Sequence, residues 1–140
     1  MIASSFSEPS ATHLLIVDDD AAICSAYGDI LRGRGYDVAT AGSRAEALQQ
    51  LERLDGSLDV LVLDIGLPDA DGAQLANEIV ERIGSRPTLY VSGWTDEFWN
   101  LADAPGHWLV MQKPIPIPNL IAAIDYLAGR RPARPSGSAA

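Results

Sequence analysis

A chain of 140 residues that is 47% hydrophobic and 21% charged is long enough for one domain with a real core, and too apolar to be disordered. Its net charge of −9 argues against nucleic acid, whose affinity rests on neutralised phosphates, and no apolar stretch approaches the roughly 20 residues of a membrane span. The single cysteine, Cys24, excludes an internal disulfide framework and suits a reducing, cytoplasmic setting.

The predicted elements alternate. Residues 1–11 are Ser-rich and read as a mobile segment ahead of one domain over 12–129. Leu14-Leu15-Ile16-Val17 forms a first strand closed by Asp18-Asp19-Asp20. A helix follows from about Asp20 to Arg32, with Ile23, Tyr27, Ile30 and Leu31 facing inward, Cys24 buried within it, and Gly33 and Gly35 ending it. Asp20 is read as its N-cap rather than as a ligand. Tyr36 to Ala39 is a second strand, and Ser43 with Glu46 forms a capping box that opens a helix lined by Leu48, Leu51 and Leu54. After the turn Asp55-Gly56-Ser57 comes Val60-Leu61-Val62-Leu63, closed by Asp64. A third helix covers about Gly72 to Arg82 with Leu75, Ile79 and Ile83 as its stripe. Thr88 to Val91 ends in Ser92-Gly93, and a short helix is expected from about Thr95 to Ala102, stopped by Pro105-Gly106. Trp108 to Gln112 runs into Lys113-Pro114, with His107 an ordinary residue at the strand edge. The last helix has Pro118 in its first turn, Leu120, Ile124 and Leu127 inward, and Gly129 at its end. Residues 130–140 read as a mobile tail.

Strands alternating with helices predict a doubly wound α/β fold, a five-stranded parallel sheet in the flavodoxin-like order 2-1-3-4-5. The first and third strands, nearly continuous apolar runs, are its covered centre. Strand C-termini of such a sheet share one edge, and ligands bind in the crevice outside it. Asp18, Asp19, Asp64, Ser92 and Lys113 all fall there, and Lys113 is the only lysine of the ten basic residues. Any one of these groups is ordinary loop or cap chemistry; together they describe a site for a phosphoryl group and a divalent cation. Mg2+ prefers octahedral oxygen ligands and keeps several waters. Asp19 and Asp64 are the expected direct ligands, Asp18 acts through a water, and the Gly66 carbonyl is a further ligand. Asp64, alone at the end of the central strand, is the candidate nucleophile toward phosphorus. Lys113 and Ser92 would offer a positive charge and a hydroxyl to the transferred oxygens. A Ser-His-Asp hydrolase arrangement and a glycine-rich phosphate loop are both missing from the sequence.

Over about residues 12–128 the chain resembles the receiver domains of two-component response regulators. The matching motifs are Leu14 to Asp20, Val62-Leu63-Asp64-Ile65-Gly66-Leu67-Pro68-Asp69-Ala70-Asp71-Gly72, Val91-Ser92-Gly93 and Lys113-Pro114. The resemblance implies Asp64 as phosphoacceptor, Asp18 and Asp19 as the acidic pair, Ser92 as switch hydroxyl, Lys113 as its lysine, and a cis Lys113–Pro114 bond. It implies a signalling module without external substrate turnover, one that catalyses its own phosphorylation and slow dephosphorylation. A sensor histidine kinase or phosphotransfer protein would be the donor. A downstream protein, or a second copy in a homodimer, would bind through the last two strands and helices. Ser92-Gly93-Trp94-Thr95-Asp96 is most similar to receivers of hybrid sensor kinase systems. Two departures stand out. Val110 occupies the position where the family carries an aromatic switch residue, and strand alternation puts Trp108 on the same side. Trp94, Phe98, Trp99 and Trp108 crowd the short fourth helix, either filling space or forming a partner surface. A fragment of a transcription factor and a binding module indifferent to phosphorylation are the other functional readings.

Overall fold

The computed structural model describes residues 11–93 and 106–130. Nine elements follow in chain order: β1 (His13–Val17), α1 (Ala21–Gly33), β2 (Asp37–Ala41), α2 (Arg44–Leu54), β3 (Val60–Asp64), α3 (Gly72–Ile83), β4 (Thr88–Ser92), β5 (Trp108–Gln112) and α4 (Ile117–Leu127). The sheet is parallel throughout in the order β2-β1-β3-β4-β5, as expected. The expected helix near Thr95 to Ala102, the aromatics Trp94, Phe98 and Trp99, and most of both terminal segments lie outside the described residues. Among the described residues no helix is long and apolar enough to cross a membrane.

Side chains alternate across each strand, so every strand feeds two cores. On one face Leu14, Ile16, Val60, Val62, Leu89 and Val91 pack against Cys24, Tyr27 and Leu31 of α1 and Leu120, Ala123, Ile124 and Leu127 of α4. On the other, Leu15, Val17, Leu61, Leu63 and Tyr90 pack against Ala47 and Leu51 of α2 and Leu75, Ala76 and Ile79 of α3. Burial on both faces explains the near-continuous apolar sequence of β1 and β3.

The local signals hold with specific corrections. Asp20 caps α1, accepting from the N–H groups of Ala22 at 3.0 Å and Ile23 at 3.2 Å. The inward face of α1 is Cys24, Tyr27, Gly28 and Leu31, while Ile30 stays half-buried outside the core, because the stripe repeats at three and four residues from Cys24. Gly33 is the last helical residue rather than the breaker. Gly35 (φ +93°) supplies the left-handed turn, with Gly35 N–H bonded to Arg32 and Tyr36 N–H to Leu31. Ser43 Oγ accepts from Glu46 N–H at 3.2 Å, but the Glu46 carboxylate reaches past Ser43 to the N–H of Gly42 at 2.8 Å. β2 starts one residue later and ends two later than expected, at Ala41, because pairing with all of β1 carries it on.

One glycine is indispensable. A Cβ on Gly72 would stand 2.8 Å from the carbonyl oxygen of Asp64 and 2.8 Å from Cα of Ile65, so only glycine lets α3 start this close to the end of β3.

Candidate phosphoacceptor and metal site

Register assembles the site. Val17 pairs with Leu63, so Asp18 and Asp64 are the next residues along two adjacent strands. Asp64 pairs with Val91, and Ser92 with Gln112, which brings Lys113 to the same edge. The N–H of Lys113 donates to the Ser92 carbonyl at 2.8 Å, extending that ladder to the lysine itself. The Lys113–Pro114 bond is cis, as the family resemblance implied.

The carboxylates and the ammonium converge. Lys113 Nζ lies 2.8 Å from Asp18 Oδ2 and 3.1 Å from Asp64 Oδ2. Backbone N–H groups hold the other oxygens: Asp20 donates to Asp18 Oδ1 at 2.9 Å and Gly66 to Asp64 Oδ1 at 3.0 Å. Asp18 and Asp64 are buried and Asp19 is exposed, yet one carboxylate oxygen of each lies within 4.8 Å of the others. Ser92 is fully buried at the end of β4, between the strands that carry Asp64 and Lys113. Asp20 turns away to cap its helix, and His107 is exposed outside the site.

Three carboxylates against one ammonium leave two negative charges, the charge of one divalent cation. Burial pushes the Asp18 carboxyl up, with the Lys113 hydrogen bond and the Asp20 N–H opposing it and Asp64 adding to it. For Lys113, burial acts to lower the ammonium, but its bonds to Asp18 and Asp64 outweigh that and raise it. Hard oxygen donors around a partly uncompensated negative charge fit Mg2+ and not a soft metal.

An open cavity of about 580 Å3 adjoins Asp18 and Asp19 on the α1 and β2 side, with Ser25, Thr40 and Glu46 in its lining. Cys24 borders it as a buried core residue. Its thiol donates to the Asp18 carbonyl at 3.3 Å, and burial, with the Asp18 charge adding, pushes it up to about 11. Trp108 and Val110 do share a face, both packing on the core beneath α2 and α3, and Trp108 meets Tyr90 edge-on with centroids 5.9 Å apart.

Sequence reasoning missed three contributors: Asp69, whose carboxylate takes the first N–H groups of α2; the Arg44–Glu78 pair between α2 and α3; and Tyr90, a fully buried tyrosine. Asp69 carried a faint signal, an acidic residue after Pro68 that the structure does not use to cap the next helix, since Asp71 does that.

Comparison with known proteins agrees with the geometry. Residues 14–125 match the family described as the response regulator receiver domain. The sensor kinase CckA of Brucella abortus is 33% identical over 119 residues, 84% of this chain and 12% of the kinase. The transcriptional regulatory protein TrcR of Mycobacterium tuberculosis is 31% identical over 124 residues, 86% of this chain and 47% of that protein. This chain therefore spans less than half the length of either relative. A CheY-like receiver domain protein from Methanospirillum hungatei superposes with a TM-score of 0.77 at 26% identity, covering 86% of this chain and 95% of that one. An acidic pair, a central aspartate and a lysine at one edge of a 2-1-3-4-5 sheet, with a family match across four-fifths of the sequence, lead to one conclusion: the chain belongs to the receiver domain family of two-component response regulators.

Proposed function

We propose that the Asp64 carboxylate accepts a phosphoryl group from a phosphohistidine of a sensor kinase or phosphotransfer protein. The phosphorus–nitrogen bond of the donor breaks as a phosphorus–oxygen bond to Asp64 forms, and the imidazole leaves. The observation that carries this reading is the position of Asp64: it ends the central strand with each oxygen held by one fixed donor, Gly66 N–H on Oδ1 and Lys113 on Oδ2. An ammonium has three donors, so Lys113 keeps its anchor on Asp18 while turning toward an incoming phosphoryl oxygen. Asp19, Asp64 and the Gly66 carbonyl would hold Mg2+, with Asp18 acting through a water. When bound, the ion supplies positive charge to the phosphoryl oxygens. Ser92 would donate its hydroxyl to the same oxygens.

The aspartyl phosphate would hydrolyse slowly by the chain's own weak autophosphatase activity, because Gly66, two residues after Asp64, has no side chain to orient a water. Binding of a downstream protein, or of a second copy, would change through the face of β4, β5 and α4. A partner preferring the phosphorylated state supplies the switch by its differential affinity. Cytoplasmic location belongs to the same reading.

The test is incubation with a small acyl phosphate, with and without Mg2+, followed by intact mass. One acid-labile adduct forms only with the metal, Asp64→Asn abolishes it, and Asp20→Asn retains it. An adduct that persists in Asp64→Asn refutes the assignment.

A further inference from the structure

The loop between β3 and α3 is closed at its base and held at its tip. At the base, Gly72 N–H donates to the Ile65 carbonyl at 3.0 Å, and Gly66 and Asp71 form an isolated antiparallel bridge. Leu67 tucks into the core, and Asp69 stands out at the far end. There its carboxylate crosses to α2, Oδ1 accepting from Arg44 N–H at 2.9 Å and Oδ2 from Ala45 N–H at 3.4 Å. Ser43 Oγ takes the Glu46 N–H, so the first turn of α2 is shared between its own cap and a residue 25 positions away. The Arg44 side chain then grips Glu78 of α3 through Nε at 2.6 Å and Nη2 at 2.5 Å. Arg44 is thus the meeting point of α2, α3 and the loop tip.

A loop bridged at its base moves as a unit about that base, so a contact at its tip sets its tilt. Gly66 sits at the base, its N–H on Asp64 and its carbonyl a candidate metal ligand. The Arg44–Glu78 pair ties the two helices together without touching the loop, whose middle is held by buried Leu67 and whose exposed tip is held by Asp69. Among the hydrogen bonds of the described residues, those of Asp69 join the loop tip to α2. Glu46 of α2 in turn holds Gly42 N–H, next to Ala41, whose carbonyl accepts from Asp18 N–H at 3.0 Å in the acidic pair across the crevice. Arg44 N–H, ahead of Ala45 N–H, holds the Asp69 carboxyl below the usual carboxylate range, so it stays ionised at its post.

We infer that Asp69 is a positioning residue for the metal site: by pinning the β3–α3 loop to the first turn of α2, it aims Gly66 and fixes the width of the crevice between Asp64 and the Asp18–Asp19 pair. The inference rests on the reading of the site as a metal-assisted phosphoacceptor, but its test reads metal binding directly. Asp69 stands apart from the Asp18, Asp19 and Asp64 carboxylates that would hold the metal, and acts through backbone.

The experiment measures Mg2+ affinity by calorimetry, without any phosphoryl donor, alongside thermal unfolding, for the parent, Asp69→Ala, Asp69→Asn and Ser43→Ala. Ser43→Ala is the control, since it removes a bond from the same helix turn without touching the loop. Asp69→Ala is expected to weaken Mg2+ about tenfold, the low end of what loss of an outer-shell partner does to a metal site. Asp69→Asn keeps an acceptor oxygen for Arg44 and recovers part of that loss, while Ser43→Ala lowers the melting temperature and leaves Mg2+ affinity at the parent value. Equal Mg2+ affinity in Asp69→Ala and the parent overturns the inference, as does an equal loss in Ser43→Ala. Labelling of Asp64→Asn would count against the phosphoacceptor reading alone, because the Mg2+ titration needs no transfer.

Discussion

Tyr90 offers a prediction that runs against the usual cost of altering a core residue. Its side chain is completely buried beneath α2 and α3, and its hydroxyl has no hydrogen-bond partner among the described residues. A buried hydroxyl left unsatisfied costs about 1–3 kcal/mol, whereas its apolar replacement of the same shape can be neutral or stabilising. Tyr90→Phe keeps the ring, its core contacts and the edge-on meeting with Trp108, and removes only the stranded oxygen. We expect a gain of about 1 kcal/mol, which for a domain of this size raises the melting temperature by roughly 2–6 °C. Urea unfolding should show a higher midpoint at an unchanged slope, the mark of altered stability rather than altered compactness. The pH dependence gives an independent readout. Burial, with Asp71 adding, pushes the Tyr90 phenol from 10.0 up to about 12. The unfolded chain therefore loses this proton first, and the contribution is full below pH 10 and lost as the pH rises to 12. In Tyr90→Phe that alkaline decline should be shallower. A loss of about 1 kcal/mol, with the alkaline arm unchanged, would refute the reasoning and show that the hydroxyl is satisfied in solution.

Two further substitutions test the scaffold behind the site. Gly72→Ala drives a methyl against two backbone atoms at 2.8 Å, and should cost about 1–3 kcal/mol while slowing phosphorylation, because the atoms it meets belong to Asp64 and Ile65; an unchanged unfolding midpoint would contradict this. Asp125 is buried at the opposite pole, accepting from the Tyr36 hydroxyl and from Arg34 Nη2 at 3.0 Å. Asp125→Asn should lower stability by about 2 kcal/mol, with the share of half-exposed Arg34 discounted for solvent screening, and leave Mg2+ affinity untouched. Chemical denaturation and a Mg2+ titration check both halves of that expectation.

Much of this protein could be read from the order of its residues. Periodicity located every described strand and helix, because a strand buried on both faces needs a continuous apolar run and an amphipathic helix needs its stripe. The cap at Asp20 and the left-handed turn at Gly35 are equally local, set by a side chain or φ angle within a few residues. The edge that gathers Asp18, Asp19, Asp64, Ser92 and Lys113 was legible too, since parallel strands present their C-termini on one side.

Only the tertiary structure decided which distant groups meet. The double contact of Lys113 with Asp18 and Asp64 depends on strand register, which the runs of Leu and Val do not specify to within one residue. Asp69 read as a loop residue because its partners lie 24 and 25 positions upstream on another helix. The Arg44–Glu78 pair has no sequence signal, because it exists only where α2 and α3 pack side by side. Glu46 was assigned the reciprocal bond of its capping box, but the turn before α2 presents the N–H of Gly42 instead. Tyr90 sits in its strand like any aromatic, and nothing in its sequence neighbours shows that the phenol end would be buried with no partner among the described residues. Local propensity acts over one or two turns of chain, whereas these contacts arise where separate elements are brought together by burying both faces of the sheet.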